Sequence, residues 1–104
     1  MRAVIRPLAV RDLEEQAAYI ARDNPQAAVR FLDAARRTVD FLMRNPNVGG
    51  PRPAGIRLKD IRMWPVSRFE RDLVFYRVVY NQLEVVRILH SARDIPGIFA
   101  EFSD

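Results

Sequence analysis

The sequence contains no cysteine, and it has a single histidine and a single lysine among its 104 residues. Without cysteine, and with one histidine, the chain cannot assemble a zinc site from Cys and His ligands. Small secreted domains often depend on disulfides, so the lack of cysteine favours a reducing compartment. No apolar run approaches the roughly 20 residues that a membrane span needs, and no signal peptide is recognisable. We therefore expect a soluble, cytoplasmic protein that does not associate with a membrane.

Glycine is also scarce: there are four, three of them between Asn47 and Ile56. Gly49-Gly50 has neither the GxGxxG nor the GxxxxGK[ST] spacing of a phosphate-binding loop, and no acidic cluster has the spacing of a calcium loop. Three serines and one threonine offer little for nucleophilic catalysis. Ser91 follows His90 on a predicted strand, so the two side chains should point to opposite faces. These absences predict that the protein uses no metal and no cofactor.

Basic residues are abundant but unevenly distributed. The formal net charge is +4, and the first 59 residues hold eleven basic against six acidic side chains, whereas the rest hold six against seven. The densest basic stretch, opposed only by Asp60, consists of Arg44, Arg52, Arg57, Lys59 and Arg62. A local patch of one sign suggests an anionic partner more strongly than a diffuse excess does. A nucleotide bias of the source genome explains the preference for arginine over lysine equally well.

The first half of the chain predicts a strand followed by two helices. Ala3 to Ile5 forms the strand, and a helix then extends to about Asp23 on an apolar stripe of Val10, Leu13, Ala17 and Ile20. Asn24-Pro25 is a cap followed by a residue suited to the first helical turn. The second helix ends at Asn45-Pro46, and its stripe consists of Ala28, Phe31, Leu32, Ala35, Val39 and Leu42. So short a linker predicts an antiparallel helical hairpin.

The second half predicts three strands, Ile61 to Val66, Asp72 to Val79 and Leu83 to His90, with a tight turn at Tyr80 to Gln82. Strict alternation gives one face as Val74, Tyr76, Val78, Leu83, Val85, Arg87 and Leu89, and the other as Leu73, Phe75, Arg77, Val79, Glu84, Val86, Ile88 and His90. Both faces are mostly apolar, and the helical hairpin covers only one. The other must be covered by the C-terminal tail, which should form a short helix after Asp94, by a partner, or by both.

The fold class is therefore α+β. We expect residues 1–104 to form a single domain of order β-α-α-β-β-β, with the helical hairpin packed on a small antiparallel sheet. This order of elements, together with its local motifs, resembles the ParE branch of the ParE/RelE toxin superfamily over nearly the whole chain. The most specific segment is Arg87 to Pro96, RILHSARDIP. The other matching motifs are Asp12-Leu13, Tyr19-Ile20, Asn24-Pro25-Gln26-Ala27-Ala28, Leu42, Pro46, Gly49, Trp64-Pro65-Val66, Phe69 and Leu73-Val74-Phe75-Tyr76-Arg77.

The resemblance implies a toxin of a type II toxin–antitoxin system that is not an enzyme. Such a toxin would inhibit DNA gyrase and would be neutralised by a ParD-like antitoxin in a hetero-oligomer, with an acidic antitoxin segment lying over apolar and arginine-rich surface. The sequence leaves open whether the chain contacts nucleic acid directly. The partner-binding candidates are Arg77, Arg87, His90, Arg93 and Asp94.

Two other functions stay open at this stage. RelE-like members of the superfamily are metal-independent endonucleases that cut mRNA on the ribosome, and their chemistry needs an acid–base group among cations. His90 with Arg57, Lys59 and Arg62 would supply that set, although no tyrosine follows His90. A degenerate member that only binds antitoxin is the third possibility. His90 can also be a structural residue at a strand end, and Asp94 a helix cap with Arg93 reaching back to a carboxylate.

Overall fold

A computed structural model describes residues 1–51 and 54–102. The elements are, in chain order, β1 (Arg2–Ile5), α1 (Pro7–Ala21), α2 (Pro25–Arg44), β2 (Arg62–Val66), β3 (Phe69–Val79), β4 (Gln82–His90) and α3 (Ile95–Phe99). The strands form one sheet of order β1-β4-β3-β2. The three C-terminal strands are antiparallel, as the sequence predicts, and β1 adds to β4 in parallel. The α+β class and the helical hairpin on the sheet are therefore confirmed.

The second helix follows its sequence signals closely. The side chain of Asn24 accepts a hydrogen bond from the backbone N–H of Ala27 at 3.0 Å, the N-cap contact that the sequence predicts. At the other end the N–H of Asn45 bonds to the carbonyl of Phe41 at 2.9 Å. Most of the predicted stripe is buried, but Leu32 is exposed, and Ala34 and Thr38 are buried in addition.

The first helix faces the core with three of its four predicted stripe positions, because Ala17 is buried and Leu13 and Ile20 pack against the core. Pro7, which ends β1, is also the first residue of α1. The buried positions are Ala9, Asp12 and Ala17, whereas Val10 is exposed. The predicted stripe is thus wrong at Val10, because the buried face of α1 includes the polar side chain of Asp12, which bonds to β4.

A β-bulge in β4 changes which residues share a face, so the predicted faces of that strand are wrong beyond the bulge. Phe75 pairs with Arg87 but Tyr76 pairs with Val85, so one extra residue, Val86, lies in β4 between these two pairs. Alternation therefore holds only up to the bulge. Ile88 belongs to the core under the helices and Leu89 to the core on the opposite side, the reverse of the prediction. A bulge has no reliable signature in an apolar run, so strict alternation could not locate it.

Each face of the sheet carries its own core. On the second face Phe75, Val86 and Leu89 are covered by Phe99 of α3 and by the connection before β2, which contributes Ile56, Leu58 and Ile61. The rings of Phe75 and Phe99 lie 5.1 Å apart. The predicted docking of the tail, as a helix after Asp94, is confirmed, and the covering connection is an addition to it. Among the described residues no helix is both long and apolar enough to cross a bilayer.

Candidate partner-binding surface

The guanidinium of Arg87 is bound inside the chain. Its Nε and Nη2 donate to the two carboxylate oxygens of Asp12 at 2.7 and 2.8 Å, and the N–H of Ile88 donates to Asp12 Oδ2 at 3.0 Å. The side chains are only 13% and 6% exposed. The hydrogen bonds that Arg87 donates to Asp12 raise the pKa of Arg87 further, so the guanidinium stays charged. The two side chains form a bidentate, nearly buried ion pair between α1 and β4.

The position of this pair follows from the length of β1. That strand pairs with β4 only as far as Ile5 opposite Val85, and the N–H of Arg6 makes the next bond to the carbonyl of Val85. Beyond that point β1 leaves the edge of β4, and the carboxylate of Asp12 accepts the N–H that would otherwise lack a strand partner. Asp12 was not among the candidate residues, because its partners lie about 75 residues away in sequence.

His90 lies next to a buried carboxylate. Asp72 is directly opposite it in the β3–β4 ladder and is buried. Burial raises the pKa of Asp72, while the electrostatic effect of His90 and a hydrogen bond from Gln16 act in the opposite direction. The Nδ1 atom of His90 accepts the N–H of Ala92 at 3.0 Å, which leaves its Nε2 atom to carry the proton of the neutral ring. A shallow depression of about 380 Å³ borders Gln16, Asp72 and His90.

Arg93 and Asp94 lie just beyond the end of β4. Asp94 Oδ1 accepts the N–H of Gly97 at 3.2 Å, so the predicted helix cap is confirmed. Arg93 is exposed, and its backbone N–H bonds to the carbonyl of His90 at 3.0 Å. Within the part of the chain that the structure describes, the side chain of Arg93 makes no ion pair, so its predicted contact with a carboxylate is not seen there.

Arg77 lies apart from the other four candidates. It pairs with Glu84 across the ladder, with Nε to Oε1 at 2.9 Å, and Arg6 approaches the same carboxylate at 3.7 Å. Five residues of β3 separate Arg77 from Asp72, the partner of His90, which corresponds to roughly 17 Å along the strand. The partner-binding candidates therefore divide between one site at the end of β4 and a second near the β3–β4 turn.

Arg62, one member of the basic group of the alternative nuclease function, lies away from His90. Arg62 donates through Nη1 to the carbonyls of Asn47 and Gly49 at 3.2 and 2.9 Å. It is paired with Tyr76, four residues along β3 from Asp72, so Arg62 and His90 are offset by roughly 13 Å along the strands and lie on strands that are not neighbours. Arg57 and Lys59 are exposed and have contacts of their own, and Arg52 lies outside the described residues.

The hydroxyl of Tyr76 holds the same loop from the sheet side. It donates to the carbonyl of Pro46 and accepts the N–H of Gly49, both at 2.9 Å, and burial raises its pKa. A Cβ atom on Gly49 would overlap this hydroxyl, so glycine is required by close approach. Arg62 and Tyr76 thus fix the loop after α2, and both act as structural residues here.

A second depression, of about 720 Å³, lies between α2 and the β2–β3 turn. Its apolar part includes Phe41 and Trp64, whose rings stack with their centroids 5.8 Å apart. Arg37 and Arg68 border it. Trp64 packs against the core under the helices, and the same ring also contributes to a surface that is partly open. No group of three or more His, Cys, Asp or Glu side chains able to hold a metal ion occurs in residues 1–51 and 54–102.

Comparisons with known proteins agree on one family. The family model described as "ParE toxin of type II toxin-antitoxin system, parDE" matches residues 3–95. Among solved structures, a chain of the "Chromosomal ParDE TA system from P. aeruginosa" is similar, with 20% identity and a TM-score of 0.72, over 86% of this chain and 95% of that one. This likeness supports the fold. No curated protein sequence matches.

Proposed function

The chain belongs to the ParE family of toxins of type II toxin–antitoxin systems, and from that premise we propose that it inhibits DNA gyrase and is neutralised by a ParD-like antitoxin. The observation that carries a binding function over a catalytic one is the arrangement of the charged residues. Arg87 is paired with Asp12, and Arg62 is bonded to loop carbonyls and lies on a strand that does not neighbour the strand of His90. Acid–base cleavage of RNA needs these groups around one reacting phosphate.

The depression between α2 and the β2–β3 turn supports the proposed antitoxin contact. It combines the apolar rings of Phe41 and Trp64 with the guanidinium groups of Arg37 and Arg68. An amphipathic segment with acidic side chains fits such a surface, because apolar burial supplies affinity and the arginines select for negative charge. We propose that the antitoxin segment lies here and that the complex is a hetero-oligomer.

The five partner-binding candidates divide into contact and positioning residues in this proposal. Arg93 is the exposed cation of the segment and is assigned to partner contact. Arg87 acts through Asp12, which also accepts the N–H of Ile88 at the edge of β4, and Asp94 acts through the backbone at the start of α3. Arg77 and His90 keep part of their side chains accessible and are assigned to the rim of the contact surface.

The first test is a supercoiling and cleavage assay with purified gyrase, ATP and relaxed or supercoiled plasmid. We expect the chain to abolish supercoiling or to trap double-strand breaks, and we expect the antitoxin to reverse the effect. Arg93→Ala should weaken inhibition severalfold. Arg36→Ala is the matched control, because Arg36 is an exposed arginine already paired with Asp33 and Asp40 on α2. Growth arrest with unaffected gyrase would contradict the assignment and would redirect the search to mRNA on the ribosome.

A further inference from the structure

The turn between β3 and β4 has an unusual residue at its first position. Val79 pairs with Gln82, which leaves a two-residue loop of Tyr80 and Asn81, and both have positive φ, at 51° and 59°. Two positive φ values are the mark of a type I′ turn, which is built best from Asn, Asp and Gly. Asn81 suits its position. Tyr80 does not, because a bulky side chain is strained in the left-handed region.

No burial against residues 1–51 or 54–102 compensates for the strained backbone of Tyr80. Tyr80 is 96% exposed, the most exposed large apolar or aromatic side chain among the described residues. Its ring therefore gains no burial in the isolated protein, and the backbone strain comes in addition. Tyr80 thus combines a strained backbone with an exposed aromatic ring, and neither feature stabilises the fold. Such a residue points to a function in binding rather than in folding.

The surroundings of the turn favour a protein partner. Val78, two residues earlier, is 41% exposed and borders a depression of about 490 Å³ that Pro51 and Ile61 also line. Met1 is half exposed beside Arg2, which pairs with Gln82 at the edge of the sheet. The ring of Tyr80 thus projects from an end of the molecule that carries accessible apolar side chains. Tyrosine is among the residues that most often dominate the binding energy of protein interfaces.

Nucleic acid fits this end of the molecule less well. Binding of a phosphate backbone requires several cations that face the ligand. Near the turn, Arg77 is bonded to Glu84, and Arg62 is bonded to loop carbonyls beside Asp60. Arg77 and Arg62 are thus engaged inside the chain, and Arg2 opposite Gln82 is an exposed cation at this end. An aromatic anchor in a protein pocket is the better match to an end that carries accessible apolar side chains.

We propose that Tyr80 is the residue by which the chain docks on its protein target, with the ring entering an apolar pocket of the partner. This inference rests on the proposed function in one respect, namely that the toxin acts on a protein. It adds, to the contact assigned to Arg93, a second target contact at the hairpin tip, eight positions along the chain from Asp72, or roughly 27 Å along the strand direction.

The test compares Tyr80→Asn with Asn81→Gly in the full chain. Asn at position 80 accepts a positive φ, so the melting temperature of Tyr80→Asn should stay equal or rise by a few degrees. Its toxicity should fall: at matched expression in a bacterial host, survival after induction should increase about tenfold or more, and the concentration that half-inhibits purified gyrase should rise by a similar factor. Asn81→Gly relaxes the same turn but keeps the ring, so it should be as toxic as the wild type. Tyr80→Phe keeps the aromatic ring and removes the hydroxyl, so its toxicity shows which of the two groups the contact needs.

Three other outcomes would each contradict the inference. Unchanged toxicity of Tyr80→Asn at equal expression would remove Tyr80 from the target contact. A clear fall in melting temperature would give the ring a structural task, and weaker antitoxin binding with unchanged toxicity would assign it to the antitoxin. If the wild type arrests growth but leaves gyrase active, the proposed target fails on its own. The growth comparison among the variants still decides whether Tyr80 matters, because it does not depend on which target is inhibited.

Discussion

At the scale of single residues, Asp12 is the side chain on which the end of β4 depends. Asp12→Ala leaves the guanidinium of Arg87 buried without its counter-charge and leaves the N–H of Ile88 without an acceptor. Loss of one member of a buried pair typically costs about 3–5 kcal/mol, and we expect a fall of that order in the free energy of unfolding in urea. The control is Asp33→Ala, an exposed carboxylate paired with Arg36 and Arg37, which should change stability little.

A second variant separates the loss of the pair from the exposure of a lone charge. Asp12→Leu combined with Arg87→Met replaces both partners by apolar side chains, so no buried charge is left unpaired. The double variant should recover a large part of the stability that Asp12→Ala loses. If the double variant were as unstable as the single one, the damage would come from the backbone N–H of Ile88 rather than from the guanidinium.

At the scale of elements, the short helix α3 closes the second core. Phe99 is almost fully buried and its ring contacts both Phe75 and Phe102, with centroids 5.1 and 5.0 Å apart. We expect Phe99→Ala to lower the free energy of unfolding by about 3–5 kcal/mol, because it opens a cavity against the sheet. Tyr19→Ala, at an exposed ring on α1, is the control and should have a small effect. The free energy of unfolding of both variants is measured by urea denaturation. If Tyr19→Ala lowered it as much as Phe99→Ala does, the burial of Phe99 by α3 would not be the cause of the loss.

Some elements could be predicted from sequence because their signals are local. The second helix has Asn24 at its start, a stripe of helical period, and Asn45-Pro46 at its end, and the structure reproduces both ends and all of the stripe except Leu32. The face of Leu89 could not be predicted, because it depends on a bulge whose position is set by pairing with β3. The burial of Ile56 to Ile61 likewise depends on which face of the sheet needs a cover.

In the candidate site, too, a contact could be predicted only where the two partners are close in sequence. The capping contact of Asp94 was predictable, since its partner Gly97 is three residues away. The pairing of Arg87 was not, since Asp12 is 75 residues away in sequence and reaches β4 only after the helix has packed. Charged residues in a family motif are therefore good markers of the fold, but their individual tasks require the tertiary structure.

At the scale of the whole molecule, polar contacts join the helical layer to the sheet at one end. Asp12 and Gln16 are four residues apart on α1 and so lie on the same side of the helix. Asp12 contacts Arg87 and Ile88, and Gln16 hydrogen-bonds to Asp72 on β3. Polar contacts between packed layers are directional, so they fix how α1 sits on the sheet more strictly than apolar packing alone does.

These contacts also give the stability of the whole chain a dependence on pH. Burial raises the pKa of Asp72 above its ordinary value of 3.8, so the folded chain binds this proton more tightly than the unfolded chain. Protonation therefore favours folding, and the contribution of Asp72 to stability falls as the pH rises above 3.8. Asp72→Asn, which is uncharged at every pH, should be more stable than the wild type at pH 7, and the difference should shrink as the pH is lowered toward 3.8 in urea unfolding series.

A second variant changes the same pKa from the helix side. Gln16→Leu removes a hydrogen bond that favours the carboxylate of Asp72, so the stability of this variant should fall more steeply with rising pH than that of the wild type. A wild type that gains stability over Asp72→Asn as the pH rises would reverse the sign of this argument, and would mean that the attraction of His90 outweighs burial.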